Sequence, residues 1–323
     1  MREGVTRHTS GDTAGRPRVV AVLGPTGVGK TAVGEELAVR LGGEVVSADS
    51  MQIYRGMDIG TAKLPASERR VPHHCIDIAD PGTPYSAALF QRDARTAIDA
   101  IASAGHLPVL VGGTGLYVRA ALDVMDFPKG EAATPVREDL EAILANEGAD
   151  ALYALLQERD PEAALLVHRN NSRRVIRALE MLELGEPSYA VSREHFHERV
   201  PFYPSVFIGL TCERGRLYGR IDARVDAMMA AGLLDEVRGL LDSGFRDALT
   251  SAAAIGYKEL VPVIDGSGDL PNAVIAIKQA SRRYAKRQLT WFRADPRVHW
   301  LDVTELSHAS AADAAMALVE SEA

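Results

Sequence analysis

The stretch Val22–Gly34, VLGPTGVGKTAVG, decides the fold. Within it Gly24, Pro25, Thr26, Gly27, Val28, Gly29, Lys30 and Thr31 fit the pattern G-x-x-x-x-G-K-[ST]. A β-branched run, Arg18–Leu23, precedes the loop, and a helical pattern with Val33, Leu37 and Leu41 on one face follows it. Strand, glycine loop and helix in that order form a phosphate cradle. The glycines let successive N–H groups converge on phosphate oxygens, and the helix start adds partial positive charge. Lys30 can neutralise the phosphates, and the Thr31 hydroxyl can ligate Mg²⁺.

Working outward, strands are expected at Glu44–Ala48, within Val71–Ile78, and at Leu107–Val111, Ser205–Thr211 and Val298–Leu301. Helical patterns lie between them, at Ser86–Ala104 and roughly at 214–243 and 272–294. This alternation predicts an α/β fold with a P-loop NTPase-like parallel sheet, helices on both faces and a helical insertion domain. Residues 1–16 read as a flexible tail without the apolar stretch of a secretory signal. The catalytic core is expected at 17–123 and 204–303, the Ala/Leu/Glu/Arg-rich insertion at 124–203, and a C-terminal helix or tail at 304–323.

Of the 323 residues 46% are hydrophobic and 25% charged, and no run approaches a membrane span in length. Two distant cysteines, Cys75 and Cys212, make no disulfide framework, so a reduced, cytoplasmic setting is expected. The net charge of −8 does not suggest a nucleic-acid partner, although a local basic patch could supply one.

A phosphate loop alone usually means ATP or GTP. Many such proteins carry a metal-supporting Asp at the end of another core strand. Here Leu107–Val111 runs into Gly112-Gly113-Thr114 with no carboxylate. The acid instead follows the second strand, at Asp49, where it faces the ligand crevice of a doubly wound sheet or merely caps a turn. Arg216, Arg220 and Arg224 recur every fourth residue and share a helix face, beside the apolar stripe Leu217, Ile221 and Val225. They offer positive charge to an anion or pair with Asp222, Asp226 or other acids at the surface. The stretch 278–293, KQASRRYAKRQLTWFR, carries six basic side chains and no acid. Arg173, Arg174 and Arg177 form a second cluster. Each is an RNA-facing surface or a solvated helix face. His73 and His74 with Cys75 make a poor metal site.

Seven blocks then occur in order: GPTGVGKT (24–31), SADSMQIYRGMDIGTAK (47–63), PHHCID (72–77), VLVGGTGLYVRAA (109–121), SRRVIRALE (172–180), IGYKEL (255–260) and KRQLTWFR (286–293). Together they resemble the tRNA dimethylallyltransferase family, over roughly residues 18–303. Cys75 departs from the pattern, which has an aliphatic residue there. The resemblance implies transfer of a five-carbon group from dimethylallyl diphosphate to N6 of adenosine-37, beside the tRNA anticodon, with Mg²⁺ as cofactor. The loop would then hold an allylic diphosphate. Arg220 and Arg224 would clamp it, Asp49 would act as the base, and Thr114 would contact the acceptor nucleotide.

The same resemblance places Asp49, Ser50, Met51 and Gln52, with Ile255, Gly256, Tyr257 and Lys258, around an extruded base. Arg137, Arg173, Arg174, Arg177, Lys286, Arg287, Trp291 and Arg293 fall in its tRNA-contact blocks. The expected partners are the tRNA anticodon stem-loop and dimethylallyl diphosphate, with no membrane, and the expected state is a monomer. A P-loop small-molecule kinase, an isopentenyltransferase acting on free AMP and a non-catalytic RNA-binding module are the rival readings.

Overall fold

The run VVAVL at Val19–Leu23 forms β1, the strand on which the sheet is built. All five side chains are buried, as a parallel strand covered on both faces requires. The computed structural model describes residues 13–127, 134–186, 188–191, 196, 198–242, 245–248 and 250–322. Most of the expected N-terminal tail, residues 1–12, lies outside the described residues.

β1 pairs in parallel with β4 (Leu107–Gly112) on one side and β5 (Ser205–Thr211) on the other. β2 (Gly43–Ala48) joins β4, β3 (His73–His74) joins β2, and β6 (Val298–Asp302) joins β5. The order is β3-β2-β4-β1-β5-β6, parallel throughout. The third strand is only two residues long. Cys75 and Asp77, immediately beyond it, have positive φ (59° and 56°), which bends the chain out of the ladder.

Helix α1 (Lys30–Arg40) starts at the phosphate loop, and α2 (Ala87–Ser103) precedes β4. After β4, α3 (Gly115–Leu122) leads to the chain segment of the second unit. The structure divides into two units: 1–123 with 201–323, and 124–200. In the second unit, α4 (Pro135–Arg159) breaks at Gly148 and is followed by α5 (Pro161–Leu166) and α6 (Ser172–Glu183). Leu140, Leu152, Leu156, Val175, Ile176 and Leu179 make its core.

Back in the first unit, the helical pattern at 214–243 is two helices. α7 (Arg214–Ala230) stops at Gly232, whose φ of 97° no helix continues through, and α8 (Leu233–Leu241) begins there. A short α9 (Val261–Ile264), the long α10 (Leu270–Arg293) and the C-terminal α11 (His308–Ser321) complete the described helices. On α7 the buried residues are Leu217, Ile221 and Val225, the stripe read from sequence. Burying each contributes about 1.5–3 kcal/mol. That leaves Arg220 and Arg224 to point along the neighbouring face. Among the described residues no helix is long and apolar enough to cross a membrane.

Candidate active site

The carboxyl ends of β1, β2, β4 and β5 deliver the loops that a parallel sheet offers to ligands. Gly24, Gly27 and Gly29 take φ of 147°, 81° and 102°, so the loop curls over the start of α1. The Lys30 ammonium donates to the Pro25 carbonyl at 2.7 Å, across the loop it belongs to. Val28 is buried and serves as the anchor of the loop in the core. Burial lowers the Lys30 pKa to about 8; the charge of Asp49 opposes this and that of Arg224 adds to it.

A cavity of about 450 Å³ opens beside the loop, within the range of small-molecule sites. Lys30, Thr31, Asp49 and Arg224 all line it. A second cavity, of about 510 Å³, is lined by Gly27, Gly29 and Arg220, and again by Lys30, Thr31 and Arg224. These three residues, with Ala62, line both cavities. Arg224 is deeply set: burial depresses its pKa, opposed by Asp49, and its Nη2 donates to the Thr61 carbonyl at 3.2 Å. Asp222 and Asp226 do not pair with the clamp arginines. They bind Arg282 and Lys278 of α10 instead. Arg216 is drawn to Glu305, at 2.7 Å, and away from the group.

Asp49 follows β2. Its Oδ1 accepts the Met51 N–H at 2.9 Å, which fixes the carboxylate relative to the turn. Thr114 occupies the position that would cap α3, but its hydroxyl makes no cap bond. It accepts the Ser50 N–H at 3.1 Å and ties the loop after β4 to the loop after β2. Gln52 accepts from the Ser47 hydroxyl at 3.1 Å and donates to the Thr61 carbonyl at 3.2 Å. Ser50, Met51, Gln52, Gly256, Tyr257, Lys258 and Arg287 line the first cavity with Asp49.

Gln288 is a residue that motif spacing did not single out. It is 5% exposed, accepts the Thr26 N–H at 2.8 Å and donates to the Gly113 carbonyl at 2.9 Å. One side chain of α10 thus pins the phosphate loop to the loop after β4. A Cβ at Gly113 would lie 2.2 Å from the Gln288 amide nitrogen, so only glycine admits this approach. Trp291 packs as closely on Gly115, where a Cβ would lie 2.1 Å from its ring. Tyr284 also lines the cavity. Burial and the Asp49 charge push its pKa up to about 12, opposed by Thr114, Arg287 and Gln288.

The basic clusters divide. Lys286, Arg287, Trp291 and Arg293 are exposed on α10. Lys278 and Arg282 of the same helix are bound to α7 acids, so the continuous basic face read from sequence is shorter than its spacing suggests. In the helical unit, Arg173 and Arg174 are exposed. Arg137 and Arg177 instead converge on Glu180, which is 2% exposed, at 2.8 and 2.7 Å. Burial alone would raise the Glu180 pKa; the bonds from Arg137 and Arg177 overcome it and hold the carboxyl below its ordinary value. His73 and His74 lie 3.3 and 2.6 Å from Glu35 and Glu44 respectively.

With this geometry in place, the comparisons are specific. A family model described as IPP transferase matches residues 52–295, and one described as isopentenyl transferase matches 17–70. The tRNA dimethylallyltransferase of Bacillus subtilis is 51% identical over 290 residues, covering 88% of this chain and 91% of that protein. That of Geobacillus thermodenitrificans is 49% identical over 290 residues, covering 89% and 91%. The crystal structure of the full-length tRNA isopentenylpyrophosphate transferase from Bacillus halodurans superposes with a TM-score of 0.69 at 46% identity, covering 95% and 98% of the two chains. A eukaryotic dimethylallyltransferase acting on tRNA gives a TM-score of 0.78 at 29% identity, covering 94% of this chain and 78% of that one. The chain belongs to the IPP transferase family.

Proposed function

We propose that the protein transfers the dimethylallyl group of dimethylallyl diphosphate to N6 of adenosine-37, next to the anticodon of tRNA. The observation that carries this reading is the sharing of one cavity by Asp49, Lys30, Thr31 and Arg224. A base for the acceptor and an anion cradle for the donor then face the same space.

In the reaction the bond between the allylic carbon and the diphosphate oxygen breaks as the N6–carbon bond forms, and diphosphate leaves. Amides of the loop, the Lys30 ammonium and the Arg220 and Arg224 guanidiniums stabilise charge on the departing oxygens. The N6 lone pair is delocalised into the purine ring, so N6 must lose its proton as it attacks. Asp49, oriented by Met51 N–H, accepts that proton. Thr114 and Gln52 meet the acceptor side. Adenosine-37 reaches the cavity by leaving its stack, at a cost of a few kcal/mol offset by contacts there. Exposed Lys286, Arg287, Arg293, Arg173 and Arg174 supply phosphate contacts that a chain of net charge −8 otherwise lacks.

Magnesium fits the residues present in one way only. Among the described residues no group of three His, Cys, Asp or Glu side chains could hold a metal. Thr31 would then be a single protein ligand, a donor set suited to an ion that keeps its waters and binds phosphate. When bound, Mg²⁺ would neutralise charge on the leaving diphosphate.

The test incubates purified protein with labelled dimethylallyl diphosphate, Mg²⁺ and unmodified tRNA. Label is expected on the adenosine 3′ to the anticodon. Label on free AMP alone, or ATP consumption without tRNA, would overturn the reading.

A further inference from the structure

Glu236 belongs to the first turns of α8, yet its carboxylate serves another segment. Its Oε2 accepts the N–H groups of Asp58 at 3.0 Å and Ile59 at 2.7 Å. Its Oε1 accepts the Gly60 N–H at 3.1 Å and the Tyr257 hydroxyl at 2.5 Å. Three consecutive amides converging on one carboxylate fix the backbone of residues 58–60. Tyr257 closes on the same point: a Cβ at Gly60 would lie 2.4 Å from its ring.

The next residue carries the consequence. The Thr61 carbonyl accepts both Arg224 Nη2 and Gln52 Nε2, each at 3.2 Å. On its other side the segment is held by the Thr61 hydroxyl donating to the Met57 carbonyl at 2.6 Å, and by Lys63 bonded to Asp58 and Asp77. A continuous line of contacts therefore runs from Glu236 through residues 58–60 to one carbonyl. That carbonyl orients a cation of the anion cradle and an amide of the acceptor side together.

We propose that Glu236 is a positioning residue that aims Arg224 at the donor diphosphate and Gln52 at the acceptor base, through the Thr61 carbonyl. The inference rests on the functional reading above for the identity of the two ligands. Glu236 touches neither ligand. An acid in the first turns of a helix ordinarily stabilises that helix alone; this one spends both oxygens on a segment 176–178 positions away.

The test measures inorganic diphosphate binding, with Mg²⁺, by calorimetry. Glu236→Gln keeps the size of the side chain but turns an amide donor toward groups that are themselves donors. Its Kd is expected to rise about tenfold. In an Arg224→Ala background the same substitution is expected to change Kd less than about twofold, because the group it acts through is gone. Asp235→Asn, beside it on the exposed face of α8, leaves Kd unchanged. Unaltered affinity in Glu236→Gln, or an equal loss with and without Arg224, would overturn the proposal. Should Glu236→Gln fail to fold, Tyr257→Phe removes one of the four donors. About a threefold rise in Kd that disappears with Arg224 supports the proposal, and no rise overturns it. Wild-type protein that binds diphosphate but prenylates no tRNA sinks the functional reading, while the diphosphate measurements still decide the role of Glu236.

Discussion

Arg137 and Arg177 in the helical unit, and Arg220 and Arg224 in the α/β unit, are the same side chain put to opposite uses. The first pair closes on one buried carboxylate, Glu180, with Glu186 also taking Arg177 at 3.0 Å. The second pair lines a cavity, and among the described residues no carboxylate pairs with either. The acids nearest in sequence, Asp222 and Asp226, are held by α10. An arginine given an internal anion builds a core; one given only a carbonyl, as Arg224 is by Thr61, keeps its charge for a ligand. Arg137 and Arg177 thus help to shape the unit that carries Arg173 and Arg174, whatever contact they also make with tRNA.

The largest expected effect breaks the first pair. Glu180→Ala leaves two guanidiniums beside an empty site in the core of the helical unit. It should cost that unit about 3–5 kcal/mol in urea denaturation. A loss under 1 kcal/mol would contradict a structural role for this cluster. The same pair sets an acid limit. The folded pKa of Glu180 is depressed, so its contribution is complete above the ordinary carboxylate pKa and disappears as pH falls through the lowered value.

The second cluster is sharpened by pH. Lys30 titrates near 8 in the free protein, because burial, aided by Arg224, outweighs the attraction of Asp49. Above that pH its positive charge is lost, so the KM for dimethylallyl diphosphate should rise by up to about tenfold per pH unit. Between about 8 and 10.5 the unfolded chain binds more protons at Lys30 than the folded one, so the ligand-free protein should gain stability with pH over that window. A KM that stays flat to pH 9.5 would contradict the placement of Lys30 against the diphosphate.

The smallest effect concerns the exposed arginines. Replacing Arg173 and Arg174 together by Ala should weaken tRNA binding several-fold without altering the KM for the donor. It should also lower the slope of log K against log salt by about one unit per lost contact. An unchanged slope would remove these residues from the interface.

How far the sequence could be read follows from the range of each interaction. The loop 24–31 was legible as a strand, glycine loop and helix in order; the residues around Asp49 left open whether it faces the crevice or caps a turn, and it both lines the cavity and accepts the Met51 N–H. The sheet was legible because its strands are short apolar runs. Thr114 was half legible: its position was clear, but the choice between capping α3 and tying Ser50 depends on a segment 64 residues away. Gln288 and Glu236 were not, since Gln288 bonds Thr26 across 262 positions and a glutamine or glutamate on a helix face carries no sign of such a partner. Basic spacing likewise says nothing of partners, which is why the pairing of Lys278 and Arg282 with Asp226 and Asp222 was not legible. The break at Gly232 was available from the glycine itself but was obscured by helix-forming residues on either side.

The central claim is that Asp49 removes the acceptor proton in the cavity where Lys30, Thr31 and Arg224 hold the donor. Single-turnover transfer from labelled dimethylallyl diphosphate to tRNA, compared between wild type and Asp49→Asn with both ligands saturating, tests it most directly. The rate should fall by about 10²–10⁴ while tRNA and diphosphate affinities stay within a few-fold. A rate within threefold of wild type would contradict the account.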